Sequence, residues 1–122
     1  MTVTRKLIAP TNFQFYISDI SERQIESFGE TVAVVSNGLS VTIPCQSDQE
    51  ADTELIVGDY AEVPKDGVLV FEGTIPAPGR IVVASNVAMD HLLRFPVARA
   101  LTHLTIWTDG QEYPERVVIG VR

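Results

Sequence analysis

The sequence predicts an all-β domain, a single antiparallel β-sandwich of about eight to ten short strands over residues 1–122. Three observations carry this expectation. Residues 39–45 and most of residues 101–107 alternate apolar and polar side chains, the period of a strand with one buried and one wet face. Between them lie two short apolar runs, residues 68–75 and 81–84. Turn signals separate the segments at Asn37-Gly38, Pro64-Lys65-Asp66-Gly67, Pro76-Ala77-Pro78-Gly79 and Asp109-Gly110.

The elements follow in chain order. Residues 1–9 read as an edge strand that Pro10 ends. Residues 12–18 place Phe13, Phe15 and Ile17 at alternate positions, a strand with an aromatic inner face. Ser21, with Gln24 three residues on and Gly29 as a stop, marks one short helix over residues 21–28. Residues 31–36 are strand-like, and Asn37-Gly38 predicts a type I′ hairpin leading into residues 39–45. Residues 46–52 are polar and acidic with no hydrophobic period, hence an exposed loop. Residues 54–60 read as a strand, and residues 68–75 as another, in which Gly73 marks a bulge. Strands are expected at 80–85, 91–95, 100–108 and 116–121, with residues 86–90 ambiguous. No linker, second domain or internal repeat is visible.

Composition narrows the function classes. The net charge is -7, from 16 acidic and 9 basic residues. This opposes binding to nucleic acid, whose phosphates require a basic patch, and to anionic membrane surfaces. It is compatible with a basic protein partner. The single cysteine, Cys45, allows no internal disulfide and reads as a reducing, cytoplasmic setting. No secretory signal and no stretch of transmembrane length is present.

No catalytic constellation emerges, so the chain is read as non-enzymatic. His91 and His103 are not at ligand spacing and have no third nitrogen or thiolate nearby, so a strand histidine outweighs a metal or acid–base role. Cys45 lacks a companion base and reads as a small buried hydrophobe. The carboxylates Asp19, Asp59, Asp66 and Asp109 follow strands or flank turns, a pattern that any acidic chain offers. Asp48, Glu50, Asp52 and Glu54 form an acidic stretch that lacks the EF-hand spacing and glycine. It is read as a solvated loop or as a surface for a basic partner. Trp107 lies within a strand and reads as core, whereas Tyr113, beside Glu112 in a loop, is the better interface residue.

Residues 67–122 resemble the C-terminal half of the competence protein J family, inhibitors of a DNA-entry nuclease. The resembling residues are Thr74-Ile75-Pro76, then Gly79-Arg80-Ile81-Val82-Val83-Ala84-Ser85, Leu92-Leu93-Arg94-Phe95-Pro96 and Leu104-Thr105-Ile106-Trp107. Phe13-Gln14-Phe15-Tyr16-Ile17 is similar to that family's first strand. The resemblance implies a sandwich fold and an inhibitor or immunity-type function, with no cofactor and no metal. Under that reading, Asp48, Glu50, Asp52, Glu54, Glu112 and Tyr113 meet a basic partner protein and occlude its active site. The alternative is a structural subunit, phage-related or homo-oligomeric, pairing through edge strands such as residues 1–9. A third reading, a small-ligand-binding β domain, requires a deep pocket with convergent polar groups.

Overall fold

The computed structural model describes residues 3–10, 13–22, 33–46, 52–86 and 88–122. Its strands are β1 (Val3–Ile8), β2 (Gln14–Asp19), β3 (Val35–Ser36), β4 (Ser40–Pro44), β5 (Thr53–Asp59), β6 (Val68–Pro76), β7 (Ile81–Ser85), β8 (His91–Pro96), β9 (Leu101–Thr108) and β10 (Arg116–Val121). They form two five-stranded sheets, β1-β5-β10-β9-β6 and β3-β4-β2-β7-β8. Every pairing is antiparallel except that of β5 with β10, which is parallel. The expected all-β sandwich is therefore what the chain forms. The helix expected over residues 21–28 lies almost wholly outside the described residues.

The two sheets bury one continuous core. The first contributes Leu55, Val57, Ile75, Leu104, Ile106, Val117 and Ile119. The second faces them with Phe15, Ile17, Val41, Ile43, Val82, Ala84 and Phe95. Within each strand these positions recur at period two, as a single buried face requires. The wet opposite face is not realised on the second sheet. Gln14, Tyr16, Ser18, Ser40, Thr42 and Ser85 are all buried there, so β2 and β4 are covered on both sides. The alternation across residues 40–45 thus separates apolar from polar positions, and both are buried, while Leu39 at its start is exposed.

The outer face of the first sheet carries a second, smaller cluster. Ile56, Trp107 and Val118 pack with Val63 of the segment after β5, and Val3 and Tyr60 close its sides. Trp107 is core, as expected, but in this satellite cluster rather than between the sheets. In β9 Leu104 and Ile106 face the main core while Trp107 faces the segment that follows β5. That segment is held by bonds from Glu62 N and Val63 N to Asp59 O. It lies close over Gly120, where an added Cβ would stand 3.2 Å from Trp107, 3.2 Å from Val63 and 3.3 Å from the Tyr60 backbone. The Tyr60 ring lies 6.0 Å from Trp107, and Lys65 and Arg122 place their cations 4.8 and 4.1 Å from its centre.

Three further local expectations are corrected. Phe13 is not part of the aromatic inner face, because it precedes β2 with φ 56° and turns its ring away. The β3–β4 hairpin is present, but only Gly38 takes a positive φ (91°), whereas type I′ needs two such residues. Asn37 instead uses its side-chain Oδ1 to accept from Leu39 N and Ser40 N. The bulge in β6 falls between Leu69 and Phe71, not at Gly73. Gly73 is needed because the Phe71 ring folds over it, 2.8 Å from where a Cβ would stand.

Asp19 closes β2. Its carboxylate accepts from Gly79 N at 3.1 Å, from Ser21 N at 3.0 Å and from the Ser21 hydroxyl, clasping the 77–80 turn to the second sheet. Burial pushes its pKa up, but the Ser21 and backbone donors outweigh this and hold it below its ordinary 3.8.

Candidate partner-binding site

The start of the β5–β10 pair defines one end of the sandwich. Parallel pairing sets Arg116 opposite Glu54, so the loop leading into β5 and the loop leading into β10 emerge side by side. They are stitched together by Glu54 N donating to Glu115 O at 2.8 Å and Gln46 N to Pro114 O at 3.0 Å. The Gln46 amide donates to Tyr113 O, and the Thr53 hydroxyl to Pro114 O. Thr53 Oγ1 also accepts from Gln46 N at 3.1 Å, joining the two ends of the acidic loop.

Two residues to which sequence reasoning gave no role at this end of the sandwich shape the 109–115 loop. Asp109 accepts from Gln111 N at 3.1 Å and Glu115 N at 2.9 Å, folding the loop about its carboxylate. Phe13 places its ring 4.7 Å from that of Tyr113, and its carbonyl accepts from Cys45 N at 2.9 Å. The left-handed backbone of Phe13 is what turns the ring toward Tyr113. An Asp-Gly pair with a Glu six residues on was the one available signal for the first; the alternation of Phe13 with Phe15 and Ile17 pointed the second to the inner face instead.

Of the six residues expected to meet a partner, Asp52, Glu54, Glu112 and Tyr113 lie at this end of the sandwich. Asp52 and Glu112 are exposed, and Tyr113 is half-buried against Phe13. Glu54 is not a loop residue: it stands in β5, half-buried, 3.3 Å from Arg116. The same guanidinium reaches Asp66 at 2.9 Å, and that hydrogen bond draws the Asp66 pKa below its ordinary value. Arg116 thus answers two carboxylates at once. Asp48 and Glu50 lie outside the described residues.

The remaining candidates resolve as packing. Cys45 is fully buried, and burial pushes its thiol up to about 12 against a smaller lowering by Thr53, far from a nucleophile's range. His103 stands on the outer face of the first sheet, 3.8 Å from Glu72, and His91 is exposed at the start of β8. Among the described residues no group of three His, Cys, Asp or Glu is placed to hold a metal ion. A cavity of about 300 Å³ opens at the opposite end of the sandwich, between Asp59, Phe95, Val97, Arg99, Thr102, Val121 and Arg122. Thr102 already donates to Arg99 O at 3.0 Å, and Arg122 is stacked on Tyr60 and 3.9 Å from Glu72. No described helix is long and apolar enough to cross a membrane.

No family model and no curated protein matches the sequence. Solved structures do match. The chain is similar to "ComJ, inhibitor of the DNA degrading activity of NucA, from Bacillus subtilis", with a TM-score of 0.72 at 8% identity, covering 99% of this chain and 96% of that one. It is also similar to "Crocagin biosynthetic gene J", with a TM-score of 0.57 at 10% identity, covering 98% and 95%. The chain has a ComJ-like fold, in agreement with the resemblance read from its strand and turn residues.

Proposed function

We propose that this chain is a non-enzymatic binding protein of the inhibitor type, acting in the cytoplasm on a protein partner with a basic surface. The observation that carries the reading is the likeness, over 99% of the chain, to a protein described as an inhibitor of a DNA-degrading nuclease. Its target would be an enzyme of that kind, which must itself present basic groups to DNA phosphates. The acidic end of the sandwich supplies the complement. Asp52 and Glu112 project freely there, and Asp48 and Glu50 extend the same loop in sequence. Glu54 stays in the strand, where its pairing with Arg116 leaves it a supporting part.

The mechanism is occlusion. Carboxylates stand in for the phosphates of the substrate, and Tyr113, backed by Phe13, gives a rigid apolar contact at the centre. The net charge of -7 steers encounter with a basic target. The test is capture of the partner from the protein's own cells at low salt, followed by titration of the chain into that partner's DNA-degradation assay. Inhibition that weakens steeply with salt, and weakens at fixed salt in Asp52→Asn/Glu112→Gln, is expected. Binding that is the same at low and high ionic strength would overturn the mechanism.

A further inference from the structure

Among the described residues there are four edge strands, and β6 is the one whose edge is long and apolar at its start. β1 carries Arg5 and Lys6, and the Lys6 ammonium donates to Leu92 O of β8, tying those two edges together. β8 also carries His91 and Arg94, and β3 is only two residues long. β6 is nine residues long and opens with Val68-Leu69-Val70-Phe71, a stretch without a charge or a proline. Val68, Leu69 and Val70 are 53%, 56% and 37% exposed, three consecutive large apolar residues on an edge among the described residues. Natural edges are ordinarily blunted by lysine, proline, shortness or a bulge; this apolar stretch has only the bulge, which leaves room for a short further strand.

The surroundings specify what that strand carries. Asp66 precedes it, Glu72 follows it, and a Cβ on Gly110 would stand 3.2 Å from Val68, so the Asp109–Glu112 loop abuts its start. Four carboxylates therefore rim the apolar stretch; Arg116 answers Asp66, Arg122 and His103 lie 3.9 and 3.8 Å from Glu72, and Lys65 is engaged with Tyr60, so Asp109 and Glu112 carry most of the rim's unanswered charge among the described residues. A second copy of a chain with net charge -7 would bring like charge to this rim. The bulge between Leu69 and Phe71 interrupts the ladder, which favours a short added segment over fusion of two sheets.

We propose that the free side of β6 at Val68–Phe71 captures an extended segment of the partner by strand addition, the segment alternating apolar residues with lysine or arginine. It rests on the reading above that the partner is a basic protein, and it places part of that partner's backbone on this edge. Hydrogen bonds to the backbone of β6 supply affinity, and the apolar stretch with its acidic rim supplies selectivity.

The test uses the isotopically labelled full chain with a blocked peptide of alternating Lys and Val, about eight residues long, a strand's length. Two controls are the same peptide N-methylated at alternate residues and a Glu–Val peptide. The Lys–Val peptide is expected to slow amide exchange at residues 68–71 about tenfold, the controls not. Val70→Lys, exposed and outside the ladder, is expected to abolish the protection without changing stability. Equal response to the N-methylated peptide overturns strand addition, as does no response at residues 68–71. Response confined to Asp52 and Glu112 also overturns it, while leaving the acidic-end reading standing. Protection that rises with protein concentration without peptide assigns the edge to a second copy instead.

Discussion

Replacing Gly120 by alanine tests the packing of the 60–66 segment onto the first sheet. Gly120 does not take a positive φ, so its backbone accepts any residue. In a strand interior, Gly→Ala ordinarily stabilises by about 0.5–1 kcal/mol, because glycine loses more freedom on folding. Here the added methyl meets Trp107, Val63 and the Tyr60 backbone at 3.2–3.3 Å, on three sides. Neither a buried indole nor a main-chain atom yields easily, and overpacking of this kind costs about 1–3 kcal/mol. The clash outweighs the entropy gain, leaving a net loss of about 1–2 kcal/mol. With a urea slope of about 2 kcal/mol/M, the unfolding midpoint should fall by about 0.5–1 M. Trp107 is the only tryptophan and is 7% exposed, so it reports its own surroundings. Native emission should shift to the red as the segment lifts. A variant as stable as the parent, or more stable, with unchanged emission would refute the packing described here.

Three further outcomes follow from the structure. Asp19, with its folded pKa held below 3.8, contributes stability at neutral pH that is lost as pH falls through that value toward the folded pKa; Asp19→Asn should cost about 1–3 kcal/mol at pH 7 and flatten the acid limb of a stability–pH profile. Cys45, buried with its thiol at about 12, should resist a neutral alkylating reagent at pH 8 in the native protein and react at once in denaturant; rapid native labelling would contradict its burial. Asp109→Ala removes the acceptor for Gln111 N and Glu115 N, and should cost about 1 kcal/mol. It should also speed amide exchange at those two residues while leaving the β5–β10 ladder protected.

Much of the architecture was legible because strands are written in period two and turns in Gly, Pro, Asn and Asp. The last strand, Arg116–Val121, and the Gly67 and Gly79 turns fell where their residues pointed. What the pattern does not carry is which face meets what. Ser40 and Thr42 look solvent-facing beside Val41 and Ile43, yet both are buried. Trp107 looks like main core, yet it serves a different cluster because Tyr60 and Val63, far earlier in the chain, pack over it. The acidic stretch was legible as charge. The juxtaposition of Asp52 and Glu54 with Tyr113 depends on the parallel pairing of β5 and β10, a non-local fact that no window of residues contains. Glu54 illustrates the converse: grouped with the acidic loop although it opens the strand read over residues 54–60, it has its charge already answered by Arg116.

The position of β10 has a consequence for how the protein is made. Residues 116–121 sit between β5 and β9, so the first sheet is two unconnected pieces, β1-β5 and β9-β6, until they arrive. During synthesis the apolar faces of Leu55, Val57, Leu104 and Ile106 must wait for Val117 and Ile119 to complete the layer. Non-local closure of this kind is slow and leaves interior edges open to wrong partners. A ribosome that stalls between the end of β9 and residue 116 would therefore hold a chain with every other strand already made and no finished first sheet.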